Sequence, residues 1–257
     1  MRTRTTSGLL AILAFAVVLR ILRVFNRWDE VTLAYAAYPE PTARALEEGR
    51  WLDAVTSWVG LHPPLHGLLH AFTEVLLPIP LLWLSMSAAA TVGVILLVAH
   101  ATRSRQGWAT ASLVAAALLA VAPTQLADTA EVNNYPLAAL SIAAVLATAR
   151  APWPWLAAAG ALAAWSHLLA GWIAGAVLAL RAGRDLATGR RADAARLLAA
   201  GGLAVLPVAA GVVVRMGKSG TFDQPDLNLG TWFGLVHQTL GPLGALLTIP
   251  VIVGLLL

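Results

Sequence analysis

The sequence predicts an all-α, polytopic membrane protein, on the basis of its composition and of its long apolar runs. Of its 257 residues, 59% are hydrophobic and 12% are charged. The mean hydropathy is +0.75, which is far from the soluble globular average. A helix needs about 20 apolar residues to cross the hydrocarbon. Five uninterrupted runs approach that length, near 8–25, 81–100, 108–127, 197–214 and 240–257.

The two ends of the chain carry apolar runs of different character. No small-residue cleavage site precedes Asn26, so the first run is predicted to be a signal anchor and not a cleaved signal peptide. The last run ends at Leu257 without a flanking charge or aromatic residue. We therefore expect a longer natural protein, with a carboxy-terminal part beyond residue 257.

The stretch 135–180 contains one formal charge, Arg150. The arginines of 181–196 and of 103–105 place both segments in the cytoplasm by the positive-inside rule. An odd number of crossings must then separate 130 from 181, and one helix is too short to use the whole stretch. We predict three short helices, 135–149, 152–166 and 168–181.

This topology has about eight spans and a cytoplasmic amino terminus. It divides the chain into a large outer loop 26–80, an outer loop 123–136 and a cytoplasmic basic loop 181–196. The net charge of +4 is then explained by anchoring charges beside anionic lipid and does not indicate nucleic-acid binding. Ten of the 17 basic residues fall on the cytoplasmic side, at 2, 4, 103, 105, 150, 181, 184, 190, 191 and 196.

The outer loop 26–80 is predicted to contain juxtamembrane amphipathic helices. Along 40–58, apolar residues lie among charged neighbours at Ala43, Leu46, Leu52, Val55 and Trp58. This spacing favours a helix that lies in the membrane interface. Tryptophans at 51 and 58 prefer the same zone.

A second helix is predicted from Leu65 to Leu76, because Pro63 and Pro64 suit a helix start. His66 and His70 are four residues apart and would share one face of it.

The order of these motifs resembles the amino-terminal half of GT-C type glycosyltransferases, above all the protein mannosyltransferases and the lipid A aminoarabinose transferases. The resemblance covers most of 1–185 and rests on six motifs. They are Leu19-Arg20-Ile21-Leu22, Asp29-Glu30, Leu46-Glu47-Glu48-Gly49-Arg50-Trp51, His62-Pro63-Pro64-Leu65, a span that ends at Ala101-Thr102-Arg103, and Ala130-Glu131-Val132-Asn133-Asn134-Tyr135-Pro136-Leu137. Trp165-Ser166-His167 resembles a polar break that some members show before the sixth span.

The resemblance implies an inverting transfer of a sugar from a polyprenyl-phosphate donor to a glycan, lipid or protein acceptor on the extracytoplasmic side of the plasma or inner membrane. It assigns the catalytic base to Asp29, with Glu30 as the second candidate. Elementary chemistry agrees, because desolvation near the membrane raises the proton affinity of a carboxylate. The alternative is a solvated pair of acids at a helix end.

A leaving phosphate needs cations, and the outer candidates are Arg27, His62, His167, Arg215 and Lys218. His66, Glu131 and Tyr135 complete the predicted substrate-binding set, with Glu131 a candidate for orienting the acceptor. The alternatives are headgroup contact for Arg215 and Lys218, a helix-breaking role for His167, and snorkelling for Arg20, Arg23 and Arg27.

Metal binding is assigned to no residue. His62, His66 and His70 recur every four residues, but no HExxH pattern accompanies them. Asp29, Glu30 and Glu131 could hold Mg²⁺ or Mn²⁺ together with the donor phosphate. The chain has no cysteine, which excludes disulfides and thiolate sites.

Two other functions are compatible with the sequence. A small-solute transporter would need polar residues inside the spans, whereas the predicted spans are nearly free of charge. An inactive GT-C-like scaffold subunit would keep the fold and lack activity. The family often has an arginine near the position of Asn133, and its absence here leaves the scaffold reading open.

Overall fold

A computed structural model describes residues 2–26, 40–56, 63–76, 80–103, 109–122, 126 and 135–219, and these residues form helices without a strand. The all-α prediction is therefore confirmed for this part of the chain. The helices within it are α1 (Arg2–Phe25), α2 (Glu40–Glu47), α3 (Trp51–Thr56), α4 (Leu65–Leu76), α5 (Pro80–Arg103), α6 (Ala109–Val121), α7 (Tyr135–Thr148), α8 (Trp153–Ser166), α9 (Leu168–Ala187) and α10 (Arg191–Ser219).

Prolines and one extended residue set several of these boundaries. Helix α4 begins at Leu65 and ends at Leu76, as the Pro-Pro pair predicts. Helix α8 follows Pro152 and carries Pro154 in its first turn, where a missing N–H costs no helical bond. His167 is extended, with φ −159° and ψ 138°, and it separates α8 from α9. The two predicted breaks in 135–181 are confirmed.

The basic segment 181–196 is helical except for the turn at 188–190, so the expectation of a loop is corrected. Gly189 has φ +80°, a left-handed conformation in which glycine ends helices. Its N–H donates to the Leu186 carbonyl at 3.1 Å, and the Arg190 N–H donates to the Asp185 carbonyl at 2.7 Å. Charged residues thus occupy the helix ends themselves.

The described part of the amphipathic stretch, 40–56, contains two helices and not one. Gly49, with φ +70°, ends α2, and the Arg50 N–H closes the turn on the Ala45 carbonyl at 2.7 Å. Residues after the break belong to a new helix and no longer share a face with those before it. The side chains that are buried therefore differ from the predicted ones. Ala43 and Ala54 are buried, whereas Leu52 is 75% exposed.

Helices α1, α5 and α6 form a first group around a small apolar cluster. Gly8 lies against Leu113, and Arg20 contacts Ala120, so α1 runs parallel to α6. The Ser112 hydroxyl donates to the Ala99 carbonyl, so α5 and α6 are antiparallel. The cluster is made by Ala16, Ile95, Ala99, Ala116 and Ala120.

Helices α7 to α10 form a second group, in which consecutive helices are antiparallel. Leu178 of α9 lies against both Gly160 of α8 and Gly201 of α10. The Trp165 indole N–H donates to the Ala204 carbonyl at 2.9 Å, which joins α8 to the parallel α10. Leu156, Val145 and Leu197 are fully buried in the core of this group. Gly93 of α5 packs on Leu140 of α7 and connects the two groups.

Helices α2, α3 and α4 pack together beside the two groups. Gly67 of α4 lies against Thr42 of α2, where a β-carbon would lie 2.5 Å from Oγ1. Helix α4 contacts α5 and α8, and α3 contacts α10. The predicted juxtamembrane helices therefore touch both groups.

One helix in the described part is long and apolar enough to cross a membrane, over Thr6–Arg23. Shorter apolar helical stretches occupy Ala88–His100, Ser112–Val121 and Pro136–Thr148. The predicted number of about eight spans is not confirmed by this finding. The predicted span 240–257 lies outside the described residues.

Candidate functional site

Half of the predicted site residues lie on segments outside the described residues. These segments contain Asp29 and Glu30, and also Arg27, His62 and Glu131. Tyr135 is the first residue of α7, and Arg215 and Lys218 belong to the final turns of α10. For these three residues the structure gives a place in a helix and no side-chain position.

The helix directions show which termini share an end of each group. In the first group, the carboxyl ends of α1 and α6 lie on the same side as the amino end of α5. In the second group, the amino end of α7, the corner at His167 and the carboxyl end of α10 lie on one side. Tyr135, His167, Arg215 and Lys218 therefore belong to the same end of the second group.

His167 is 8% exposed and acts as the N-cap of α9. Its Nδ1 accepts a hydrogen bond from the Leu169 N–H at 3.1 Å. An accepting Nδ1 carries no proton, so a neutral ring with this bond carries its proton on Nε2. The geometry shows the capping role, and binding of a phosphate by His167 stays a prediction.

A pair of buried hydroxyls lies beside this corner. The Oγ atoms of Ser141 and Ser166 are 3.0 Å apart. A carbonyl of the same helix lies within reach of each hydroxyl, Ala138 at 2.7 Å from Ser141 Oγ and Ala163 at 3.0 Å from Ser166 Oγ. Each hydroxyl has one proton, so one serine donates to the other, and the second donates to its own helix carbonyl. This arrangement joins α7 to α8 and leaves neither donor unsatisfied.

His66 is 7% exposed, in the first turn of α4. The neighbouring residue Gly67 is the one that packs on Thr42 of α2. His66 has an interaction with the surrounding protein, and its place in the packed α2–α4 unit accounts for its burial. Its predicted contact with substrate stays untested.

Arg20 is a buried cation, and the sequence analysis did not predict its burial. It is 1% exposed, so it does not snorkel. Its Nε donates to Thr91 Oγ1 at 2.9 Å. Its Nη1 donates to the carbonyls of Ala16 and Ala120, each at 3.1 Å. Its Nη2 is buried and has no hydrogen-bond partner among the described residues. The signal in the sequence that could have indicated this burial is an arginine inside an apolar run.

Arg50, between α2 and α3, lies on the surface by contrast, with 49% of its side chain exposed. Its guanidinium donates to Asp53 Oδ2 at 2.8 Å and to Glu48 Oε2 at 2.7 Å. The hydrogen bonds that Arg50 donates to Asp53 and then to Glu48 raise the pKa of its guanidinium. These two neighbouring carboxylates already balance its charge, so Arg50 is a poor candidate for holding a phosphate.

No group of three metal-ligating side chains occurs within the described ranges. The acids considered for Mg²⁺ or Mn²⁺, namely Asp29, Glu30 and Glu131, lie outside these ranges. Comparisons with models of protein families, with curated proteins and with solved structures find no match to this chain.

Proposed function

We propose that the protein is an integral membrane glycosyltransferase, which transfers a sugar from a polyprenyl-phosphate donor to an acceptor on the extracytoplasmic side with inversion. The observation that carries this proposal is the place of Asp29-Glu30 directly after α1. Helix α1 ends at Phe25, and Asn26 is the last described residue before the motif. Three residues, Asn26, Arg27 and Trp28, separate Phe25 from Asp29 in the sequence.

The helix directions support a common outer side. The ends of α1, α5 and α6 that adjoin the motif-bearing segments lie on one side of the first group. The segment 123–134, which contains Glu131, runs from that end of α6 to the end of α7 that lies beside the His167 corner. A topology with about eight spans places all of these ends outside, together with Arg215 and Lys218.

Exposed apolar surface supports a membrane setting for these helices. On α1, Leu10, Phe15, Val18 and Leu22 are each more than half exposed. Trp155 and Trp172, at 66% and 65% exposure, extend this surface to the second group. Such a surface is unfavourable in water and suits lipid. We infer a multi-pass protein of the plasma or inner membrane.

In the proposed reaction, Asp29 accepts the proton of an acceptor hydroxyl. The hydroxyl oxygen forms a bond to the anomeric carbon of the sugar while the bond to the phosphate oxygen breaks. The leaving group is the polyprenyl phosphate, and direct displacement inverts the anomeric centre. Arg27, His62, His167, Arg215 and Lys218 are candidates for stabilising the phosphate, and Glu131 for orienting the acceptor. His66 and Tyr135 are further candidates for substrate binding.

The test is sugar transfer by membranes that contain the full-length protein, with a panel of polyprenyl-phosphate sugars. Asp29→Asn removes the base and keeps the shape of the side chain, so we expect loss of transfer of at least about 100-fold. Asp53→Asn is the matched control, because Asp53 pairs with Arg50 on the surface, and it should retain transfer. Full activity in Asp29→Asn would refute the mechanism, and no turnover of any donor would favour the scaffold or transporter.

A further inference from the structure

The guanidinium of Arg20 lies at the level of the end of α6. It donates to the Ala120 carbonyl, one residue before the last residue of that helix. Arg20 itself lies five residues before the end of α1, about 7.5 Å along the helix axis. The charge is therefore close to the end of the first group from which the Asp29-Glu30 segment departs.

The described contacts leave this cation incompletely satisfied. A hydroxyl and two carbonyls accept from Nε and Nη1. Both N–H groups of Nη2 are enclosed and make no hydrogen bond to a described residue. Arg20 forms no ion pair within the described ranges. A buried charge without a counter-charge is strongly unfavourable, and an unmade bond from a buried donor adds to the cost.

An anionic oxygen would remove both costs. Arginine binds phosphate oxygens through parallel N–H groups, and Nη2 is the group that remains for such a bond. The anion must reach a helix end inside an apolar bundle, which favours a phosphate attached to a lipid chain over a free ion. Such a headgroup belongs either to a polyprenyl phosphate or to an anionic phospholipid.

We propose that Arg20, held in place by Thr91 and the Ala120 carbonyl, binds a lipid-linked phosphate through Nη2 at the end of α1 and α6. The choice of a polyprenyl phosphate as the occupant rests on the proposed function. Binding displaces the groups that now cover Nη2 and brings the phosphate to the helix end that adjoins the Asp29 segment. In the transfer reaction this site would hold the leaving group.

The experiment measures the melting temperature and lipid affinity of the full chain in maltoside detergent, which contains no phosphate. The probes are a polyprenyl phosphate, the corresponding polyprenol, phosphatidylglycerol and inorganic phosphate. We expect the polyprenyl phosphate to bind at least tenfold more tightly than the polyprenol. Arg20→Gln should abolish this preference, and Thr91→Val should weaken it severalfold, because the guanidinium loses the hydroxyl that orients it.

The control is Arg23→Gln, three residues further along the same helix, which should keep the preference. A shift of the same size with phosphatidylglycerol would support the phosphate site and identify its occupant as a phospholipid. A wild-type protein that binds polyprenyl phosphate and polyprenol equally would overturn the proposal, as expected if a carboxylate of the chain neutralises Arg20. Unchanged binding in Thr91→Val or in folded Arg20→Gln would overturn it too.

Sugar transfer measured on the same preparations separates this inference from the proposed function. If wild type and Arg20→Gln transfer sugar and bind polyprenyl phosphate equally, the site is wrong and the glycosyltransferase stands. If polyprenyl phosphate binds through Arg20 and no donor is turned over, the site stands and the proposed function is wrong.

Discussion

The Nε atom of Arg181 lies 3.0 Å from Oδ2 of the fully buried Asp185, one helical turn further along α9. Arg190, beyond the turn, forms an ion pair with the other carboxylate oxygen. The Nη1 of Arg181 also donates to the carbonyls of Ala149 and Ala151, at 2.7 and 3.2 Å. Through its two arginines, this carboxylate therefore connects the α7–α8 junction with the turn between α9 and α10.

Replacing Asp185 by asparagine should destabilise the fold markedly. The change removes the negative charge between two arginines, and breaking a buried pair costs about 3 kcal/mol. We expect this decrease in the free energy of unfolding, measured by circular dichroism during denaturation in detergent. Asp193→Asn is the control, because its carboxylate is exposed and 3.8 Å from Arg196. That variant should change stability by less than about 0.5 kcal/mol, and equal effects of the two variants would contradict the assignment.

A methyl group at position 67 should disrupt the contact between α2 and α4. A β-carbon there would lie 2.7 Å from the β-carbon of Thr42, so Gly67→Ala should cost about 1 to 3 kcal/mol through overpacking. Gly175 in α9 has open space at the same position, and Gly175→Ala should stabilise by about 0.5 to 1 kcal/mol. Thermal melting of both variants checks this, and a neutral Gly67→Ala would show that the helices can move apart.

The turn between α9 and α10 should require residue 189 to be glycine or asparagine. With φ at +80°, an alanine there is strained by about 1 to 2 kcal/mol. Asparagine tolerates this region better and should recover part of the loss. The ordering glycine, asparagine, alanine in melting temperature is the expected result. If alanine ranked above asparagine, the left-handed turn would be wrong.

Substitutions at His167 distinguish a cap from a phosphate ligand. His167→Ala removes the bond to the Leu169 N–H and should cost about 1 kcal/mol. His167→Asn can cap the helix and should restore stability. Transfer activity then decides the role: full activity in His167→Asn identifies a cap alone, and lost activity in a stable variant identifies a ligand.

The sequence predicts the helices well because apolar length and proline are local signals. The breaks at Arg150 to Pro154 and at His167 follow from the residues present, as does the start of α4. Which side chains of α2 and α3 are buried is not predictable in the same way. Gly49 interrupts the helix there, and Leu52 becomes exposed as a result. The predicted end of α9 at residue 181 rests on the assumption that charged residues mark a loop. Helix α9 in fact continues to Ala187.

The burial of Arg20 depends on contacts between residues far apart in the chain. Two of its three partners, the Thr91 hydroxyl and the Ala120 carbonyl, are 71 and 100 residues away, and no local pattern indicates that they meet. The acidic motif is a different case, because its candidate role comes from order along the chain and its side chains lie outside the described residues. Asp29 and Glu30 therefore stay predictions.

The contact of Arg181 with the Ala149 carbonyl has a consequence for biosynthesis. The two residues are 32 positions apart, and the chain emerges from the ribosome amino terminus first. When α7 and α8 have been synthesised, the carbonyls at their junction do not yet have the Arg181 guanidinium as a hydrogen-bond donor. The second group can close only after α9 has been translated to its arginine, so a chain that stalls before Arg181 leaves an incomplete hairpin exposed to quality control.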